Sequence, residues 1–304
     1  MKRPGILLFV AAPVVALVVL LAVNPRDPGP SAETGKRTAV SQESREDAKA
    51  RAERSEEESE DDDVVADAPP GLAAAGKKEL AQRLVASAVN STLDWRSTYA
   101  AIEDFGDGQG YTAGIIGFCT GTQDLLTLVE RYTEGHPDNG LAPYLPALRE
   151  VNGTDSHEGL DPGFTAAWKA ESERPAFRKA QEAERDRSYF RPAVRLAKLD
   201  GLSTLGQFIY YDAMVFHGPG IDPDSFYGLR ERVLKQAGTP AMGGSETAYL
   251  DVFLKLHRKA IKDKRPDVGT DRIDAAQRQF LNDGNMDLDT PLVWTMYGKT
   301  YRVE

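Results

Sequence analysis

Asp107 sits in the run Gly106-Asp107-Gly108-Gln109-Gly110-Tyr111-Thr112, where alternating glycines free the backbone to turn tightly and let a ligand approach it closely. A carboxylate displayed on such a loop is a candidate general base. The same letters admit other readings. Asp-Gly is a common turn pair, and Gly108-x-Gly110-x-x-Ala113 superficially fits a dinucleotide fingerprint. That fingerprint needs a strand before it, a helix after it and a chain of alternating β and α units. Here a helix-like stretch ending in Ile102-Glu103-Asp104-Phe105 precedes the loop, and the β-forming residues from Tyr111 to Phe118 follow it. A calcium loop counted from Asp104 places Ile115 where the bidentate glutamate belongs.

Other reactive side chains are sparse. Cys119 is the only cysteine, which excludes an intramolecular disulfide, and its setting in Gly117-Phe118-Cys119-Thr120 reads as a buried, inert thiol. The four histidines have no ligand spacing, so no metal and no cofactor is expected. A formal net charge of −10, uninterrupted by any basic stripe, argues against a nucleic-acid partner.

The elements that must hold the loop are mostly helices. After Pro69-Pro70-Gly71, the residues Leu80, Leu84, Val85 and Ala88 fall on one helical face, with Lys77, Lys78, Gln82 and Arg83 opposite. This helix should stop near Asn90-Ser91. Pro, Ser, Thr or Asp at starts and Gly after ends suggest further helices over residues 123–134, 143–151, 175–186, 192–200, 204–217, 225–237, 246–262 and 271–282. A short strand or hairpin is expected over residues 111–118. The fold class is therefore mainly α, in the α+β sense, and no repeat of solenoid period is present.

Composition divides the chain into residues 1–24, 25–70 and 71–304. The first part opens Lys2-Arg3 and continues with the apolar run from Ile6 to Val23, closed by Asn24-Pro25. It fits either a signal peptide or an uncleaved signal anchor that contacts the membrane, and both put the remainder outside the cell, secreted or on the outer face of the plasma membrane. The second part ends in Glu56-Glu57-Glu58-Ser59-Glu60-Asp61-Asp62-Asp63 and has too few large apolar residues to offset its ordering entropy, so it is expected to be a disordered acidic tether. The third part, about 230 residues, is one domain.

Within that domain, Ser91-Thr92-Leu93-Asp94-Trp95, the loop from Gly106 to Thr112, Ile115-Ile116-Gly117-Phe118-Cys119 and Gly206-Gln207-Phe208 resemble the glycoside hydrolase family 46 chitosanases. Tyr144-Leu145-Pro146-Ala147-Leu148, Glu184-Arg185-Asp186-Arg187, Tyr210-Tyr211-Asp212, His217-Gly218-Pro219-Gly220 and Gly284-Asn285-Met286-Asp287-Leu288 extend the resemblance, which runs from about Lys77 to Tyr297. It implies a lysozyme-like, two-lobed helical fold with a small β-sheet beside the cleft, and inverting endo-hydrolysis of β-1,4-linked glucosamine in chitosan. Inversion needs a carboxylic acid for the leaving oxygen and a carboxylate for the attacking water. By resemblance, Asp107 is that base and Thr112 helps to hold the water.

The sequence also departs from the family pattern. Where the family carries its acid, in Ser-Ala-Glu-Asn, this chain reads Ser87-Ala88-Val89-Asn90, and valine has no proton to give. In the network behind the acid, Asp212 and Arg272 match the pattern, but His257 stands where an arginine is normal. Arg258 is one residue along, which on a helix turns its side chain by about 100°. Asp124 matches a substrate-amine contact, and Gln109 replaces an arginine often found in the loop. Trp95, Trp168, Trp294 and Tyr189 match family aromatics and also suit core packing. Two functions follow from the resemblance: a chitosanase strongly impaired at Val89, or a non-catalytic cell-surface protein that binds chitosan or a related cationic aminoglycan.

Overall fold

The computed structural model describes residues 61–304. The expectations for the N-terminal apolar run and for most of the tether lie outside the described residues. Among the described residues, no helix is long and apolar enough to cross a membrane. Residues 61–67, expected as the end of a disordered tether, are helical. Charge complementarity accounts for this: Arg195 pairs with Asp62 at 3.0 Å and with Asp61 at 3.6 Å, and Lys198 donates to the carbonyl of Val65.

Helix α1 (Ala75–Val89) buries Leu80, Leu84, Val85 and Ala88, the face read from the sequence. It ends at Asn90, and Ser91 takes a positive φ of 54°. The three-stranded antiparallel sheet follows, ordered β1 (Ile102–Asp104), β2 (Tyr111–Ala113) and β3 (Phe118–Cys119). One expectation changes here. The stretch through Ile102 is a strand, because only a short 3-10 turn at Trp95–Thr98 follows α1 and Ile102, Glu103 and Asp104 pair with Ala113, Thr112 and Tyr111. The strand or hairpin expected over residues 111–118 is a hairpin, with β2 and β3 joined by the turn between Ala113 and Phe118, whose Gly114 and Gly117 have positive φ. The glycine loop therefore closes a β1–β2 hairpin. A strand does precede it, yet a strand also follows, so the dinucleotide geometry is still missing.

The helices then run α2 (Asp124–Gly135), α3 (Leu145–Val151), α4 (Phe164–Glu171) and α5 (Pro175–Arg185). A π turn (Asp186–Phe190) joins α5 to α6 (Arg191–Leu199), so two expected helices form one rod. Pro192 lacks the amide that would reach back to Ser188, and the wider turn before it absorbs that loss. Helix α7 (Thr204–His217) begins and ends where the sequence indicates, its start capped by the Ser203 hydroxyl, which accepts from the amide of Gly206 at 3.3 Å. Helices α8 (Phe226–Leu234) and α9 (Glu246–Lys264) pack beside it. A second π turn (Arg272–Gln277) leads into α10 (Arg278–Asn282). The chain ends in a hairpin, β4 (Leu292–Met296) and β5 (Lys299–Val303), turning at Tyr297 and Gly298.

Helix α4 and the terminal hairpin are absent from the sequence expectations. Alternation in Leu292-Val293-Trp294-Thr295-Met296 and the Tyr-Gly turn were the available signals for the hairpin. Trp294 is buried, stacks on Tyr301 and donates its indole N–H to the Ser87 hydroxyl at 3.0 Å, which ties the hairpin to α1. Trp168 is also fully buried and donates to the carbonyl of Tyr99, and Trp95 lies against Tyr99. All three tryptophans are core residues.

The lower helices share one buried charge pair. Asp200 accepts from both Arg230 and the Tyr210 hydroxyl, at 2.8 and 2.7 Å on the same oxygen, while its other oxygen pairs with Arg230. Removing one partner leaves an uncompensated buried charge. Arg230→Ala should therefore lower unfolding stability by about 3–5 kcal/mol. A urea melt with an unchanged slope and a lower midpoint is the expected result, and a midpoint equal to that of the wild type would show that Asp200 is not held by this pair.

Candidate active site

A cleft of about 940 Å³ runs between the sheet with its helices and the α7–α9 group. One wall carries Asp107, Thr112, Cys119, Asp124 and Tyr189; the other carries Phe216, His217, Arg265 and Arg272. Val89 and Ala88, at the end of α1, contribute to the floor.

The glycines set the loop. Gly106, Gly108 and Gly110 have φ of 66°, 82° and 67°, in the region that side chains rarely adopt. At Gly110 a Cβ would also collide with the side chain of Thr120, whose hydroxyl accepts from the amide of Tyr111 at 3.0 Å. The carbonyl of Gln109 accepts from Gly121. Asp107 is thereby aimed into the cleft. Its Oδ1 accepts from the amide of Gln109 at 3.2 Å, and its Oδ2 faces Nη1 of Arg265 at 2.9 Å. The Gln109 side-chain oxygen meets the same Nη1 at 3.2 Å.

Thr112, on β2, is brought to the same cleft. Its hydroxyl lies 3.3 Å from the sulfur of Cys119. Burial and the nearby Asp124 push the Cys119 thiol up to about 12, so it is an inert thiol. Val89 and Thr112 are neighbours across Gly117: a Cβ there would meet methyl groups of both, at 3.2 and 3.0 Å. The group that α1 delivers beside Thr112 is an isopropyl.

Asp124 opens α2, where a carboxylate suits the helix N-terminus. Its Oδ1 accepts from the amides of Cys119 and Leu125 and from the Thr122 hydroxyl, and its Oδ2 from the Tyr189 hydroxyl at 2.8 Å. Burial pushes its pKa up, while these hydrogen bonds pull in the opposite direction. Tyr189 is the one of the four matched aromatics that both packs inward and lines the cleft.

Asp212 and Arg272, the latter also lining the cleft, pair at 3.3 Å, and Gln277 donates to the other oxygen of Asp212 at 2.6 Å. All three are buried. His257 is fully buried and makes no hydrogen bond through either ring nitrogen; it packs edge-on to His217 with centroids 4.7 Å apart. The expected arginine-like role is therefore not filled by residue 257. Arg258 does not fill it either, because its side chain points outward and pairs with Asp274 at 2.9 Å. Sequence reasoning did not single out Arg265 or Phe216, and it treated His217 only as part of a motif. Lys264-Arg265-Pro266 at the close of α9 is ordinary helix-ending chemistry, so the letters carry no signal of a cleft residue.

Glycosyl hydrolase family 46 matches by its sequence profile over residues 83–292. A chitosanase of Streptomyces sp. (strain N174) is 54% identical over 231 residues, covering 76% of this chain and 83% of that protein. A chitosanase of Nocardioides sp. (strain N106) is 51% identical over 247 residues, covering 79% and 88%. Among solved structures, a glycoside hydrolase family 46 chitosanase of Gynuella sunshinyii in complex with chitotetraose is 31% identical, with a TM-score of 0.70, covering 76% of this chain and 98% of that one.

The two histidines make stability depend on pH. Burial, then the cations Arg272, Lys264, Arg265 and Arg232, hold His217 down at about 3, and burial, then His217 and Arg272, hold His257 well below its ordinary value. Both stay neutral in the fold while the unfolded chain takes up protons below about pH 6.5. Stability is thus complete above that pH and falls as the pH drops towards the folded-state values. At about pH 5 the loss from His217 alone is about 2 kcal/mol. Melting temperatures from pH 7.5 to 4.5 should fall, and His257→Leu should flatten the curve; an equally steep curve in the variant would contradict this origin.

Proposed function

The chain belongs to glycosyl hydrolase family 46, and from that premise we propose that its cleft binds chitosan, with Asp107 as general base and hydrolysis strongly slowed by Val89. The observation that carries the reading is the floor of the cleft, where Val89 and Thr112 flank Gly117 beside a loop that displays Asp107. Inverting hydrolysis asks Asp107 to take a proton from a water that attacks the anomeric carbon, while a second carboxyl protonates the departing oxygen from the other face. Thr112 is the residue suited to hold that water.

Asp124, Glu184 and His217, which share the cleft, do not supply the missing proton. Asp124 accepts four hydrogen bonds and so acts as a fixed acceptor. Glu184 is buried against Arg187 and Arg131. His217 is neutral wherever chitosan would meet it above about pH 3, because its pKa is held at about 3. The leaving oxygen then departs without general-acid help, which is typically worth about 10² to 10⁴ in rate. The cleft can still bind the polymer, with Asp124 and Asp107 as the acceptors for its polar groups. A non-catalytic aminoglycan-binding protein is the second reading, and Val89 is the observation that favours it.

The reading of the N-terminus remains that of the sequence: Lys2, Arg3 and the apolar run support export, with the domain secreted or held at the outer face of the membrane. Reducing-end release from chitosan, measured for the wild type beside Val89→Glu, tests the catalytic claim. The variant should be faster by about 10² to 10⁴. Equal turnover would overturn the impaired-acid reading. If both proteins bind chitosan and neither cleaves it, the binding reading stands instead. Asp124→Ala should weaken binding of glucosamine oligomers by about tenfold, as loss of a charge-assisted contact does, and unchanged titration curves would remove Asp124 from the binding surface.

A further inference from the structure

We infer that Arg265 is a specificity-determining residue that makes the sugar position beside Asp107 electrostatically neutral, so that the cleft accepts an N-acetylglucosamine unit there about as readily as a glucosamine unit. The inference rests on the chitosan reading of the cleft and names the sugar type that one position of it takes.

Arg265 ends α9 on the wall opposite the glycine loop and reaches across to it. Its Nη1 lies 2.9 Å from Oδ2 of Asp107 and 3.2 Å from the side-chain oxygen of Gln109. Its Nη2 approaches the carbonyl of Phe216 at 3.5 Å, and the guanidinium sits 4.2 Å from the centre of the Phe216 ring. The Arg265 side chain is only 15% exposed and that of Asp107 only 18%. Such a pair is less screened than a surface one, and the planar guanidinium is held by several contacts at once.

Geometry links this pair to the sugar. A base that acts through one water on an anomeric carbon has that sugar's C2 substituent within about 6 Å, by the hydrogen-bond and attack distances involved. An ammonium at C2 would be drawn to Asp107 and repelled by Arg265 from a comparable distance. Opposite charges at nearly one point cancel most of each other's field, so the ammonium gains little. An acetamide carries no charge and loses nothing. Without Arg265, the Asp107 carboxylate would favour the ammonium sugar by a margin that a charge pair at such range makes roughly tenfold.

Isothermal titration of the full chain with a glucosamine hexamer and with an N-acetylglucosamine hexamer, at low salt, tests the inference. The wild type should prefer the glucosamine hexamer by no more than the roughly tenfold that the Asp124 contact supplies elsewhere in the cleft. Arg265→Met should tighten binding of the glucosamine hexamer about tenfold and leave the acetylated hexamer unchanged, while Arg265→Lys keeps the wild-type ratio. The ratio is the diagnostic reading, since a merely structural role would shift both hexamers together. An unchanged ratio in Arg265→Met overturns the role of Arg265. So does a wild-type preference for the glucosamine hexamer above about a hundredfold, a measurement that needs no variant to fold. Failure of the wild type to bind either hexamer overturns the aminoglycan reading of the cleft, and this inference with it.

Discussion

A carboxylate in the middle of a buried helix has to be neutralised, and Asp212 is the constraint on which the cleft depends. Helix α7 is buried from Thr204 to Met214, and Asp212 is its one acidic residue. Burial pushes its carboxyl up, while Arg272 and the Gln277 amide hold it in its charged form. An unpaired ion there would cost several kcal/mol. The π turn carrying Arg272 and Gln277 is therefore bound to α7, and the chain on either side of it is placed in turn. Before it, residues 264–269 form one cleft wall. After it, α10 and the terminal hairpin bring Trp294 to Ser87, two residues before Val89. One buried ion pair thus connects the far wall to the end of α1.

Against that economy, the region around His257 is under-satisfied. Both ring nitrogens of His217 and of His257, and the Nε of Arg272, have no hydrogen-bond partner. Buried polar groups without partners cost about 1–3 kcal/mol each. The histidines limit that cost by staying neutral and packing against Phe216 and Phe253. On the proposed reading, residue 89 lacks an acid and residue 257 lacks an arginine, so one negative and one positive group are absent together. The local charge balance survives such a joint change, although proton transfer does not.

The glycine loop was the most legible part of the site. Positive φ at Gly106, Gly108 and Gly110 is a property that glycine alone supplies without strain, so the spacing announced the conformation before any contact was known. Helices α1, α7 and α9 were equally legible, α1 from its apolar face and α7 and α9 also from the capping Ser203 and Ser245, because both signals act locally. Strand β1 was read as the end of a helix, since three residues carry too little periodicity to choose and only their pairing with β2 decides the matter. Helix α4 follows Gly163 and has neither a capping side chain nor a proline in its first turn, so the start signal that marks other helices is missing.

From the sequence alone followed the mainly helical class, the glycine loop with Asp107, the valine at residue 89 and the family, because each depends on residue type and near-neighbour spacing. Only the tertiary structure could decide who stands opposite Asp107. Arg265 is 158 residues away along the chain, and its guanidinium reaches the base because α9 ends where the cleft wall turns. That meeting is set by the packing of α7, α8 and α9. Periodicity within a single segment carries no information about such a contact, since a side chain's partner across a cleft depends on the relative placement of elements and not on their own formation.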